Sequence, residues 1–310
     1  MRALLVVNPK ATTTTGLSRD VLVRALRSEV ELHVEYTRQR GHAAALAREA
    51  AAARLDVVVT LGGDGTVNEV VNGLLPAAGP PEPATLPALA VVPGGSTNVF
   101  ARALGLPRDW VEGTGVILEA LRQRRTRTIG LGRADDRYFT FCAGLGLDAA
   151  VVRRVERARG RGRTATPGLY LRSAVAQYVL GGRHREAPIT LERADEAPET
   201  GLATVIVQNT APWTYLNSRP VHPNPQASFD LGLDLLALRT LHLPATARTL
   251  AQILSRRPNP RGRYVLRLHD LGRFTLRAER PVAFQVDGEY LGEREKVDFA
   301  SVARALRVIC

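Results

Sequence analysis

One stretch constrains this chain more than any other: Leu61-Gly62-Gly63-Asp64-Gly65-Thr66-Val67-Asn68-Glu69. It follows an apolar run, Asp56 to Thr60, and precedes a segment with helical spacing, Val67 to Leu75. A buried strand that turns through glycines into a helix is the ligand-binding corner of an open parallel sheet. Glycines let the backbone approach a ligand and aim several amides at one point. The helix start adds partial positive charge, which suits phosphate. Asp64 would stand beside those phosphates and hold magnesium, directly or through water. A purely structural account also exists. Thr66 and Glu69 have capping-box spacing and are assigned that role here. Caps do not explain three glycines around an aspartate.

The surrounding pattern agrees with a parallel sheet. Ala3 to Val7, Glu31 to Tyr36 and Leu89 to Val92 read as strands, and Leu17 to Leu26, His42 to Ala53 and Phe100 to Leu104 as helices. This βαβα order predicts an α/β domain with helices on both faces of the sheet. A second glycine turn, Pro93-Gly94-Gly95-Ser96-Thr97-Asn98, repeats the strand–turn–helix layout, so it can face the same ligand; Ser96 and Asn98 also suit ordinary N-caps. A third loop, Asn8-Pro9-Lys10 followed by Ala11 and four threonines, is either a phosphate contact or a plain polar loop.

The pattern changes after the arginine cluster at 122–127. Short alternating segments follow, among them Tyr138 to Cys142, Ile189 to Arg193, Ala203 to Gln208, Tyr264 to Leu268, Arg273 to Ala278 and Val282 to Val286. They predict an antiparallel sheet or sandwich with helices at Ala149 to Arg157 and Leu169 to Leu180. A length of 310 residues suits two domains. Near the end, Asp287-Gly288-Glu289 reads as a hairpin turn.

Together these motifs resemble the diacylglycerol kinase catalytic-domain family, which includes bacterial lipid kinases and sphingosine kinases. The matching pieces are Asn8-Pro9, Thr37 with Gly41-His42-Ala43, Gly62 to Glu69, Pro93 to Asn98 with Ala101-Arg102, Gly232-Leu233-Asp234, and Asp287-Gly288-Glu289. The GGDGT stretch is shared with NAD kinases and phosphofructokinases; its combination with the proline-glycine loop and the late Asp-Gly-Glu is much more specific to lipid kinases. The resemblance implies an N-terminal α/β nucleotide domain over 1–125, joined by 296–310, and a β-sandwich lipid-binding domain over 126–295, with the active site in the cleft between them. It implies ATP and Mg2+ as cofactors. ATP would be bound by Asn8, Pro9, Thr37, Gly62, Gly63, Asp64, Gly65, Thr66, Glu69, Gly94, Gly95, Ser96 and Asn98. Asp287 would be the general base and Asp64 the carboxylate at the catalytic magnesium. Asp230 and Asp234 retain part of the pattern that holds a structural magnesium in some bacterial members. Val99 stands where many relatives carry an aspartate.

The activity so implied is transfer of the γ-phosphate of ATP to a hydroxyl of a lipid alcohol such as diacylglycerol or a sphingoid base. The alternatives are a catalytically inactive nucleotide- or lipid-binding module and an NAD kinase-like enzyme. No Walker lysine follows a glycine, because Lys10 and Lys296 are the only lysines. The net charge of +12 is almost all arginine. Either a GC-rich genome or an anionic partner surface accounts for it. No nucleic-acid motif appears, and aromatics are few. The partners expected are the lipid substrate and an anionic membrane surface, with a homodimer permitted and no nucleic acid. The arginine run from Arg153 to Arg163 is a candidate for the membrane contact. No run is long enough to span a bilayer, and two cysteines without zinc-site spacing fit a cytoplasmic, peripherally membrane-associated protein.

Overall fold

The computed structural model describes residues 1–10, 16–76, 82–161, 188–194, 196–216 and 218–310, with isolated positions at 169, 172, 173, 176 and 177. The chain divides into two units: Met1–Leu131 with Asp136–Tyr138 and Ala303–Cys310, and Gly132–Asp135 with Phe139–Val302.

The first unit is built on parallel strands. They are β1 (Arg2–Val7), β2 (Glu31–Tyr36), β3 (Val57–Gly62) and β4 (Ala88–Pro93), in the order β2-β1-β3-β4. The end of the last strand, β16 (Glu289–Ile309), lies parallel beside β4 through Val308 and Leu89. All six residues of β3 and of β4 are buried, as expected of strands covered on both faces. Helices α1 (Gly16–Arg27), α2 (His42–Ala52), α3 (Asp64–Leu74), α4 (Val99–Ala103) and α5 (Trp110–Arg122) fill the connections. Leu22, Leu26, Leu46, Val70, Val71 and Ile117 bring their apolar faces inward. Each such side chain contributes about 1.5–3 kcal/mol by leaving water.

The second unit is antiparallel. Its sheet runs β14 (Val265–Leu271), β13 (Leu233–Leu238), β10 (Thr204–Gln208), β7 (Cys142–Leu145), β15 (Arg273–Val286) and then β16; β8 (Ile189–Glu192) pairs with β15 and with β9 (Glu199–Leu202). Period-two alternation sends one face inward: Ala143 and Leu145, Ile189 and Leu191, Val205 and Val207, Leu233, Leu235 and Ala237, Phe274 and Leu276, Phe284 and Val286 form one buried cluster. Phe274 stacks on Phe299 at 5.1 Å within it. Helix α6 (Leu147–Gly160) follows β7, and helix α7 (Leu243–Ile253) follows β13. Segments β5 (Thr126–Ala134) and β6 (Arg137–Phe139) pair with each other, and β11 (Thr214–Leu216) with β12 (Arg219–Val221) in a separate hairpin.

The antiparallel β-rich second half and parallel α/β first half are as the patterning predicts. Several boundaries differ. The helix after the GGDGT strand begins at Asp64, not Val67, so Gly65 and Thr66 lie in its first turn. Arg273 to Val286 is one strand with register shifts opposite β16, not two. Tyr138 to Cys142 splits between β6 and β7. The helix α5 carries Gly113, Thr114 and Gly115, which obscure its propensity in the sequence. The run Thr12 to Thr15 lies outside the described residues, as do Arg163 and seven of the twelve residues of the expected helix Leu169 to Leu180.

Candidate active site

Three strand ends of the first unit meet at the carboxyl edge of its sheet. The amide of Gly94 donates to the carbonyl of Gly62 at 2.9 Å, which ties the second glycine turn to the first. The next residues touch directly: a Cβ on Gly95 would lie 2.6 Å from the Cα of Gly63. The Gly95 position has no room for a side chain, whereas a Cβ on Gly63 would come no closer than 3.4 Å to Gly95. Asn98 closes the turn on itself. Its Oδ1 accepts from the Gly95 amide and its Nδ2 donates to the Gly95 carbonyl, both at 2.8 Å. It occupies the N-cap position of α4 in the left-handed region, yet gives the helix no side-chain cap.

That cap comes from Asp64. Its two carboxylate oxygens accept from the amides of Val99 and Phe100 at 3.0 and 3.1 Å. An acidic side chain here meets the positive end of α4 and satisfies two amides that the helix cannot. Asp64 therefore joins the two glycine turns as well as standing in the first turn of α3.

The capping box expected of Thr66 and Glu69 does not form, and α3 has no side-chain cap at Gly63. Thr66 Oγ1 accepts instead from Asn8 Nδ2 at 3.2 Å, which connects the first strand's loop to α3. Glu69 reaches the neighbouring helix: its oxygens accept from the amides of Gly41 and Ala43 at 2.9 and 3.1 Å, at the start of α2. The spacing was right for a cap, but a closer helix start had the unsatisfied amides. Thr37 donates its amide to the Val7 carbonyl, beside Asn8. Pro9, Gly65 and Ser96 are exposed. Among the described residues, no atom lies within 4 Å of the position of a Gly65 Cβ.

Asp287 belongs to the second unit. It sits with Gly288 at the turn between β15 and β16, both residues at positive φ (47° and 77°), which is a type I′ hairpin. The residue is 5% exposed. Oδ2 accepts from the amide and hydroxyl of Thr140 at 2.7 and 2.9 Å, and Oδ1 from the amides of Phe141 and Cys142 at 3.0 and 3.1 Å. Burial pushes its pKa up, and these four donors oppose the rise.

The sequence reading passed over a second carboxylate close by. Asp148, in the first turn of α6, accepts from Gln285 Nε2 at 2.7 Å. Gln285 Oε1 in turn accepts from the amide of Gly288 at 2.9 Å, so Asp148 supports the turn that carries Asp287. Burial raises its pKa to about 6, against the single hydrogen bond from Gln285. Asp148 lies in Gly144-Leu145-Gly146-Leu147-Asp148, where a second glycine-flanked strand end was the available signal.

Asp234 is buried and accepts from His269 Nδ1 at 2.7 Å and from the Asp270 amide at 3.2 Å, whereas Asp230 is exposed. Burial raises the Asp234 pKa, opposed by these contacts. Among the described residues no group of three or more His, Cys, Asp or Glu gathers as a metal site. A magnesium ion held by all-protein ligands does not fit such a set. One held by a single carboxylate together with phosphates and water fits Asp64.

Residues 2–134 match the family model of the diacylglycerol kinase catalytic domain. The diacylglycerol kinase of Bacillus subtilis (strain 168) is 36% identical over 152 residues, 47% of this chain and 46% of the relative. A probable lipid kinase (YegS-like) of Chromohalobacter salexigens is 36% identical over 148 residues, 48% of this chain and 45% of that protein. The matched stretch thus spans about half the length of these curated relatives. A crystal structure of a putative diacylglycerol kinase from Bacillus anthracis shares the fold along nearly the whole chain, with a TM-score of 0.75, 23% identity and coverage of 99% of this chain and 97% of that one.

Proposed function

We propose that this chain, whose residues 2–134 match the diacylglycerol kinase catalytic domain, transfers the γ-phosphate of ATP to a hydroxyl of a lipid such as diacylglycerol or a sphingoid base. Phosphoryl transfer asks for positioning and charge neutralisation more than for covalent chemistry. The two glycine turns and the start of α3 position phosphates. Asp64 would hold magnesium, directly or through water, and the ion would supply charge neutralisation at the phosphates. Asp287 takes the proton of the incoming hydroxyl.

The observation that carries this reading is Gly65. It is exposed in the first turn of a helix, where glycine costs up to about 1 kcal/mol relative to alanine, and among the described residues no atom lies within 4 Å of where its Cβ would stand. A backbone left bare at that cost suits a ligand that must come close. Gly65→Ala tests it. The variant should melt at the same temperature as the wild type or slightly higher, and should bind ATP at least tenfold more weakly in calorimetry. Unchanged ATP affinity would remove the argument. Labelled ATP with a panel of lipid extracts then identifies the acceptor.

One observation favours the reading as a binding module without turnover. Oxygens of both Asp64 and Asp287 already accept hydrogen bonds from the protein. Tight ATP binding with no labelled lipid from any extract would decide for it.

A further inference from the structure

Helix α7 of the second unit is inside out. Toward the protein it turns Thr249, 5% exposed, and Ile253; toward solvent it turns Leu243, 65% exposed, Ala247, Leu250, 50% exposed, and Ala251. These outward positions follow at i, i+4, i+7 and i+8, so they form one apolar stripe. The inward threonines gain little from their burial. Thr249 returns its hydroxyl to the Ala245 carbonyl of its own helix, and the Thr246 hydroxyl is buried without a partner among the described residues. Ordinary amphipathicity would place the leucines inside.

The surroundings of the stripe are rich in arginine, of which Arg239 pairs with Glu199. Between Asp234 and Asp270 the sequence has seven arginines and no acid. Arg248, Arg256, Arg257, Arg261 and Arg263 are all exposed. Beside the stripe, Arg248, Gln252, Ser255, Arg257, Asn259 and Arg261 line a recess of about 540 Å3. Two bonds fix its wall: Gln252 accepts from the Arg261 amide, and Asn259 accepts from Arg267, each at 3.0 Å. No carboxylate pairs with Arg248, Arg257 or Arg261 among the described residues. Exposed Tyr264 lies beneath the Arg263 guanidinium at 5.4 Å.

We propose that this face docks the second unit on an anionic lipid bilayer. The leucine stripe of α7 enters the boundary between headgroups and acyl chains, the arginines meet lipid phosphates, and one phosphate seats in the recess. Apolar centre, arginine rim and an exposed aromatic are the pattern of a helix that lies in an interface. A second copy of the chain fits worse, since pairing α7 with α7 would set two arginine clusters together with no acid between them. The proposal rests on the lipid-kinase reading for its purpose, because a lipid substrate must be reached at a bilayer. It departs from the arginine run Arg153 to Arg163 as the contact. In that run Arg153 is already paired with Glu293 at 3.0 Å and stacked on Tyr290.

The experiment is sedimentation with vesicles of phosphatidylcholine, with and without phosphatidylglycerol, at low and high salt. The wild type should bind the anionic vesicles and lose affinity as salt rises. The variant R248Q/R257Q/R261Q should bind on the order of a hundredfold more weakly at low salt, about fivefold for each arginine. The variant L243S/L250S should lose about tenfold at either salt, since apolar insertion is not screened. Replacing Arg157, Arg159, Arg161 and Arg163 by Gln should change little. The proposal is overturned if the wild type ignores anionic vesicles, if the α7 variants bind like the wild type, or if the 157–163 variant alone loses binding. It is also overturned if L243S/L250S only converts a dimer to a monomer in ultracentrifugation. Phosphorylation of a detergent-dispersed short-chain diacylglycerol is measured in parallel. Retained activity in the α7 variants separates docking from catalysis. Absence of activity in every protein counts against the kinase reading and leaves the vesicle result to stand alone.

Discussion

Gly63 and Gly95 meet backbone to backbone, with the Gly95 position leaving only 2.6 Å between a Cβ and the Gly63 Cα. The partner atom is main chain, so it cannot rotate away. Gly95→Ala should therefore separate the two glycine turns and cost about 1–3 kcal/mol, the range for forced overpacking. Thermal melting checks the stability. A melting temperature equal to that of the wild type would mean that the turns can part freely.

Asp64→Asn should impair both the fold and the activity. The carboxylate caps α4 through two amides, and an asparagine can offer only one oxygen while turning an NH2 toward the other amide. A loss of about 1 kcal/mol is the expected scale for a cap. Lipid phosphorylation should vanish even well below the melting temperature. An undiminished rate in the folded variant would end the assignment of Asp64 to the metal.

Asp287→Asn needs the same separation of effects. Thr140, Phe141 and Cys142 all donate to this carboxylate, so an amide group would leave about 1–3 kcal/mol of unsatisfied polarity in a buried place. Lower stability is expected whichever role Asp287 has. Turnover per folded molecule distinguishes them: the base role abolishes it, whereas a purely structural role leaves it near the wild-type rate at low temperature.

Asp148 makes stability depend on pH in an unusual direction. Its carboxyl is lifted from an ordinary value near 3.8 to about 6 in the fold. The folded state then holds a proton that the unfolded chain releases, so the contribution of Asp148 to stability is greatest below about pH 4 and is lost as pH rises through 6. Above that, ionised Asp148 costs up to about 3 kcal/mol. Asp148→Asn keeps an oxygen for Gln285 and should be the more stable protein at pH 8, with the advantage shrinking as pH falls to 4. Melting curves of both proteins across this range provide the check; parallel curves would exclude the effect.

Much of this architecture was legible in the sequence because burial writes a simple code. The unbroken apolar runs of β3 and β4 announce strands covered on both faces, and alternation from Phe274 to Val286 announces a sheet with one inward face. The glycine turns were legible for the same reason that they work, since few residues tolerate such close backbones. Side-chain destinations were not. Thr66 and Glu69 have the spacing of a cap, but the choice between two nearby helix starts depends on distance in space. Gly144 and Gly146 flag the strand end before Asp148, but its raised pKa comes from burial by segments far along the chain. Helix α7 was missed because Pro244 and the β-branched Thr246 and Thr249 weaken its helix propensity, although its apolar residues keep helical spacing.

Residues 303–310 complete the parallel sheet of the first unit, with Val308 beside Leu89 and the Cys310 carbonyl accepting from Arg125 Nε at 2.6 Å. During synthesis, then, the amino-terminal half emerges from the ribosome long before its final strand exists. The second unit, whose residues are contiguous from 139 to 302, is fully translated first. Until that moment β4 has an open edge of the kind that invites wrong pairing. The order of folding in the cell should run against the order of translation, with the glycine-loop unit closing last.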